Sequence, residues 1–161
     1  MFAPTMRRQI LFAFLLAGFS ALSAPAAFAA EPAASSGMRL GIKGYDPVAY
    51  FTLQRATPGQ AQFEYSWDEH VWRFASAEHR ELFKADPVHY APQFANFCAV
   101  ALARGEAREA NPEYWLINDG KLYLFGKAYG PEVFRKELAG SIERAEKNRG
   151  LLPKRQAPGG E

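Results

Sequence analysis

Residues 114–125 have the pattern of a β-hairpin, and the rest of the fold can be built outward from them. They read Tyr114-Trp115-Leu116-Ile117-Asn118-Asp119-Gly120-Lys121-Leu122-Tyr123-Leu124-Phe125. Asp119-Gly120 supplies the positive φ angles that a two-residue type I′ turn requires. We therefore predict two antiparallel strands, over 114–118 and 121–125, joined by that turn.

A second hairpin is predicted upstream of the first. Residues 63–67 alternate between apolar and polar side chains, which is typical of a half-buried strand. Residues 71–74 can pair back on them across a polar turn formed by Asp68, Glu69 and His70. The sequence thus contains two hairpins, each made of segments that follow one another along the chain.

Short helices surround the hairpins in the sequence. Asp46-Pro47 fits the cap and first position of one helical turn, and Ser76 fits the cap of a helix over 77–85. The motif Asp86-Pro87 ends that helix. Further helices are predicted over 130–138 and from Ser141 to Asn148. The fold class is therefore α+β, a small single domain of two antiparallel β-hairpins packed against short helices.

The first 29 residues have the features of a secretory signal peptide. Arg7 and Arg8 precede a nearly uninterrupted apolar run, and small residues stand at the −3 and −1 positions of a cleavage site after Ala29. The apolar run is shorter than the roughly 20 residues of a membrane-spanning helix. We therefore expect export to the periplasm, with no membrane span after cleavage. The two arginines leave general secretory and twin-arginine export both open.

Composition excludes several classes of site and partner. The chain has 161 residues, one cysteine and a formal net charge of +2. One cysteine cannot form an internal disulfide or a four-cysteine metal site. Without Arg7 and Arg8, basic and acidic residues are equal in number, so we expect no nucleic-acid partner.

Composition also predicts how the chain is divided into segments. The predicted segments are a signal peptide over 1–29, a flexible leader over 30–40, a folded domain over 41–150 and a disordered tail over 151–161.

Cys98 is the first candidate for a functional residue. A lone exposed thiol is a liability in an oxidising compartment, so Cys98 is either buried as a small apolar residue or functional. The chain has no Cys-x-x-Cys motif. Redox chemistry would therefore need a partner thiol, or would stop at a single oxidised cysteine.

The histidines are His70, His79 and His89. His79 precedes Phe83 by one helical turn, so it is either half-buried or available as a metal ligand or a partner for Cys98. His70 is expected in a solvated turn, and His89 is left open. A cysteine and a histidine together suit a soft or borderline metal such as copper or zinc. Cys98 and His79 are therefore the candidate metal ligands.

Four segments together resemble the YHS domain family, in particular its small exported bacterial members that consist of one domain. The segments are Tyr45-Asp46-Pro47-Val48-Ala49-Tyr50-Phe51; Trp72-Arg73-Phe74-Ala75-Ser76 with His79 and Phe83; Asp86-Pro87 with Tyr90-Ala91-Pro92-Gln93 and Cys98-Ala99; and Asp119-Gly120-Lys121-Leu122-Tyr123-Leu124. The resemblance implies a treble-clef-like architecture and a suspected role in metal binding.

The chain also departs from that family. Relatives that bind metal carry further cysteines where this chain has Ala49, Ala75 and His79, so its candidate ligands are reduced to His79 and Cys98. Exported relatives typically have Gly-Gly where this chain has Ala95-Asn96.

These observations predict a non-enzymatic, exported binding or accessory module. Its expected ligand is copper or another soft metal ion, and an envelope protein is an alternative partner. Two other functions stay open: a thiol-based redox protein acting through Cys98, and a structural or interaction domain without a site.

Overall fold

The computed structural model describes residues 38–153. The predicted signal peptide, most of the predicted leader and most of the predicted tail lie outside this range. Groups of strands and groups of helices follow one another along the described residues, and the fold is a small α+β domain. The strands are β1 (Arg39–Leu40), β2 (Gln60–Trp67), β3 (His70–Phe74), β4 (Asn111–Asn118) and β5 (Lys121–Phe125). The α-helices are α1 (Ala49–Thr52), α2 (Ala77–Ala85), α3 (Pro87–Tyr90), α4 (Ala99–Ala103), α5 (Gly130–Lys136) and α6 (Leu138–Lys147). Short 3-10 turns cover Gly41–Gly44 and Arg149–Leu151.

Both predicted hairpins are confirmed. Strands β4 and β5 pair antiparallel across Asp119-Gly120, whose φ angles are 50° and 66°. Strands β2 and β3 pair across a turn of two residues, Asp68 and Glu69, which also have positive φ angles. The turn was predicted to include His70. It is shorter because two consecutive residues in the left-handed region close a type I′ hairpin, so His70 already pairs with Trp67.

The domain extends beyond the boundaries predicted from composition. Arg39 and Leu40, assigned above to the flexible leader, form β1 and pair in parallel with β3. The sheet order is therefore β1-β3-β2. At the other end, Leu152 packs against a buried cluster although it was assigned to the tail. Composition missed both contacts because their partners are distant in the sequence.

Most helices lie where the sequence predicts them. Helix α1, however, begins at Ala49, two residues later than the Asp46-Pro47 signal predicts, and α5 ends at Lys136 rather than Leu138. Helix α2 covers the predicted residues, and the Ser76 side chain accepts a hydrogen bond from the His79 backbone N–H. The last predicted helix begins at Leu138 rather than Ser141. Asp86-Pro87 ends α2 and also starts α3, since the Asp86 side chain accepts from the His89 backbone N–H. Within residues 38–153, no helix combines the length and apolar character needed to cross a membrane.

The core consists of two buried clusters. The first lies around the β1-β3-β2 sheet and α2, and its largest members are Tyr50, Trp72, Phe74 and Phe83. Tyr50 donates its hydroxyl to the Pro112 carbonyl at 2.9 Å, and burial raises the pKa of this phenol well above its usual range. The second cluster lies among β4, β5, α4, α5 and α6. It is built from Phe94, Cys98, Ala99, Ala101, Leu102, Leu116, Tyr123, Phe125, Phe134 and Ala145.

Candidate functional site

Cys98 is held at the start of α4 in the second cluster. Its backbone N–H donates to the Arg108 carbonyl at 2.8 Å, and its Sγ accepts from the Ala101 backbone N–H at 3.5 Å. The residue is 8% exposed. The structure therefore buries most of Cys98 and fixes the sulfur by local contacts.

The segment before Cys98 is fixed by the N-terminal end of the domain. The Asn96 side chain accepts from the Ile42 backbone N–H and donates to the Leu40 carbonyl at 3.0 Å. Ala95 has a φ of 48°, in the left-handed region that favours glycine. The segment thus contains a backbone conformation that is unusual for alanine, and the Asn96 side chain anchors it to the start of the domain.

A cavity of about 440 Å³ lies against Cys98. Its walls come from α4, from the loop after α4 and from the loop between β5 and α5. The lining residues are Cys98, Val100, Ala101, Arg104, Glu106, Arg108, Glu109, Gly126, Lys127, Tyr129 and Gly130. Gly126 stands close to the sulfur, since a Cβ built on it would lie 3.9 Å from Cys98 Sγ. The glycine therefore keeps space open beside the thiol.

The charged residues of this lining are only partly paired. Arg108 forms an ion pair with Glu106, and Glu109 pairs with Lys43 at 3.2 Å. Both carboxylates of the lining thus already have cationic partners. Among residues 38–153, Arg104 and Lys127 form no ion pair. The cavity therefore contains two cationic side chains that form no ion pair with a carboxylate of the described chain.

His79 has a different environment from Cys98. Its Nδ1 lies 2.6 Å from Asp46 Oδ2, and its Nε2 lies 3.2 Å from Thr52 Oγ1. Because an ionised carboxylate only accepts hydrogen bonds, Nδ1 is the donor to Asp46. The His79 side chain is 12% exposed. Both ring nitrogens therefore have partners that fix α2 to the start of the domain.

Asp46 is the centre of this polar network. Its side chain is fully buried. Besides His79, it accepts from the backbone N–H groups of Val48 at 2.8 Å, Ala49 at 3.3 Å and Ala75 at 2.8 Å. The sequence predicted its role as a helix cap. The sequence contained no signal for the hydrogen bonds from Ala75 and His79, because these depend on tertiary structure.

The two predicted metal ligands have different surroundings in the described structure. Cys98 belongs to the second cluster, whereas the His79 nitrogens are bound to Asp46 and Thr52 beside the first. Residues 38–153 contain no group of three or more histidine, cysteine or acidic side chains placed to hold a metal ion. To bind a metal together with Cys98, His79 would have to give up one of its present partners, and the paired Cys98/His79 site stays a prediction.

The other two histidines have structural contacts. His70 Nδ1 lies 2.7 Å from the Asp68 carbonyl oxygen, within the first hairpin. The His89 ring packs against the rings of Phe51 and Tyr90, with centroids 4.8 and 4.7 Å away. The sequence left the role of His89 open. In the structure its ring is exposed and packs against these two aromatic rings.

Sequence reasoning found Cys98 but missed the residues that shape the space around it. Arg104, Gly126, Lys127 and Tyr129 line the same cavity. They come from two segments separated by more than twenty residues, and none belongs to a recognisable local motif. The only available signal was the exposed polar character of the two loops, which most surface loops share.

Comparison with protein-family models, with curated proteins and with solved structures found no match to this chain. The resemblance to the YHS family therefore remains a prediction from the quoted segments. The chemistry of the site has to be argued from its own residues.

Proposed function

We propose that this protein is a non-enzymatic binding module of the YHS type, exported to the periplasm, and that the cavity beside Cys98 is its binding site. The observation that carries the proposal is the cavity itself, of about 440 Å³ with the only cysteine of the chain in its wall. Small-molecule sites in proteins typically occupy roughly 300–1,000 Å³.

The lining suits recognition of a small molecule. Val100 and Ala101 supply apolar contacts, Tyr129 supplies an aromatic rim, and the charged residues supply orientation. A few polar groups in a partly apolar cavity are the usual arrangement for binding with selectivity. Within the lining, Cys98 is the one side chain with strong nucleophilic or soft-metal character.

Copper remains a proposed ligand in a restricted form. The described structure offers Cys98 as a single sulfur ligand, without His79. A metal ion bound there would need other ligands from solution or from a partner. Cys98 would supply the soft thiolate donor that copper(I) prefers.

Alkylation kinetics test whether the cavity gives access to the thiol. We expect Gly126→Ala to slow the reaction of Cys98 with iodoacetamide roughly threefold or more, because the added methyl group would fill space beside the sulfur that the glycine leaves open. The added Cβ would lie 3.3 Å from the Glu109 carbonyl oxygen and 3.9 Å from Sγ. The rate is measured by mass spectrometry on folded protein.

The matched control is Gly150→Ala, whose added Cβ meets no atom within 4 Å. It should react like the wild type, and thermal unfolding should show that both variants fold. Equal rates for Gly126→Ala and the wild type would contradict access through this cavity. So would a wild-type thiol that reacts only after denaturation.

Competition with a chromogenic copper(I) chelator tests the metal hypothesis. We expect Cys98→Ser to weaken copper(I) binding at least about tenfold, because a hydroxyl is a poor ligand for a soft ion. His79→Gln should bind like the wild type, since its ring is already engaged. Equal affinity of the wild type and Cys98→Ser would remove Cys98 as a ligand. A loss in His79→Gln as large as in Cys98→Ser would support the paired site.

The thiol-based redox function is the second candidate, and the same cavity favours it because a buried sulfur is reachable there by small molecules. A redox protein cycles Cys98 between oxidation states, whereas a binding module leaves it unchanged. Mass spectrometry of protein trapped with an alkylating reagent in the periplasm distinguishes the two. A reversibly oxidised fraction that grows under oxidant supports redox, and a constant thiol supports binding.

A further inference from the structure

The cavity beside Cys98 has an unbalanced charge. Of its five charged lining residues, Arg108 and Glu106 neutralise each other, and Glu109 is paired with Lys43. Arg104 and Lys127 are the two charged lining residues that have no ion-pair partner among residues 38–153. They stand on different walls, one at the end of α4 and the other in the loop after β5. The positive charge is therefore a property of the cavity rather than of one segment.

We propose that this cavity selects a small organic anion, whose negative group is held by Arg104 and Lys127 while its body lies towards Val100, Ala101 and Tyr129. The proposal rests on the proposed function and adds the chemical class of the ligand. A carboxylate, sulfonate or phosphate group would satisfy these two cations equally, because guanidinium and ammonium groups bind all three.

Two features support an organic anion over an inorganic one. Tyr129 is 60% exposed although it is a large aromatic residue, and it lines the cavity. An exposed aromatic ring in the lining can supply apolar contact to the body of a ligand. Val100 and Ala101, from α4, add apolar surface to the same lining. An inorganic anion would use the cations and leave this apolar surface exposed.

Cys98 provides a reporter for the charge preference. The probes are two methanethiosulfonates of similar size, one with a sulfonatoethyl group and one with a trimethylammonioethyl group. In either reaction the Cys98 thiolate attacks the thiosulfonate sulfur, a mixed disulfide forms and methanesulfinate leaves. Cys98→Ser supplies the background rate. Each rate is divided by the rate of the same reagent with urea-unfolded protein, which removes intrinsic differences between the reagents.

We expect the normalised rate of the anionic reagent to exceed that of the cationic one about tenfold at low salt. The two carboxylates of the lining are paired, so Arg104 and Lys127 should raise the local concentration of anions, and such fields raise on-rates by about 10–10³. High salt should reduce the ratio. The double variant Arg104→Gln/Lys127→Gln should bring it close to one. The control Arg55→Gln/Lys121→Gln removes the same charge from exposed residues outside the cavity and should keep the preference.

The possible failures are distinguishable. Reaction of the folded protein with equal normalised rates, or with a preference for the cation, would overturn anion selection and leave the cavity as a binding site. A preference lost equally in both double variants would assign it to overall charge and overturn the role of Arg104 and Lys127. A thiol unreactive towards both reagents until unfolding would overturn the proposed function together with this inference.

Discussion

Asp46→Ala is expected to lower the free energy of unfolding by about 3–5 kcal/mol. The carboxylate of Asp46 is fully buried and accepts hydrogen bonds from His79 Nδ1 and from three backbone N–H groups. Its removal leaves these donors without their acceptor. It also removes the hydrogen bonds that join three parts of the chain: α1, the end of β3 and α2. Urea denaturation followed by circular dichroism measures the loss.

Two further variants distinguish the stability loss caused by breaking this network from the loss caused by removing an ordinary helix cap. Asp86→Ala removes an exposed cap that accepts only from the His89 backbone N–H, and it should cost about 1 kcal/mol. Asp46→Asn keeps an acceptor oxygen and should fall between the two alanine variants. A loss for Asp46→Ala no larger than for Asp86→Ala would show that the network does not hold the domain together.

Phe83→Ala is expected to be the second severe change, with a loss of about 3–5 kcal/mol. Phe83 is fully buried on α2 and forms the centre of an aromatic group in the first cluster. Its ring contacts the rings of Tyr65, Trp67, Trp72 and Phe74, with centroid distances from 5.2 to 6.4 Å. Truncation leaves a cavity that these large rings cannot readily close. Chemical denaturation measures the effect.

Val88→Ala is the comparison for Phe83→Ala. Val88 is 71% exposed, and its truncation should change stability by no more than about 0.5 kcal/mol. A near-neutral Phe83→Ala would mean that the first cluster repacks freely, against the density expected of a protein core. Because the Cys98 cavity belongs to the second cluster, folded Phe83→Leu protein should keep its alkylation rate.

The local part of the fold could be predicted because its signals are short. Asp119-Gly120 fixes a two-residue turn, and Ser76 caps α2 one turn before the residues it serves. These interactions join residues a few positions apart, so the sequence pattern contains both partners. The edge strand β1 lacks such a signal, since it has only two residues and the residues of β3 with which they pair lie 31 positions further along the chain.

The candidate site, too, could be predicted from the sequence only in part. The sequence singled out Cys98 as either buried or functional, and the structure shows it mostly buried at the wall of a cavity. The sequence also paired Cys98 with His79 on chemical grounds. In the structure, His79 binds Asp46, 33 positions away in the chain.

By itself, the sequence determined the α+β class, both hairpins, the main helix and the one residue with distinctive chemistry. These depend on local turn geometry, capping and residue type. Only the tertiary structure decided which partner His79 takes and which residues surround Cys98. Tertiary structure also brought Arg104 and Lys127 to one cavity and paired the two carboxylates of its lining with other cations. Such distribution of charge depends on packing between distant segments, which residue spacing does not record.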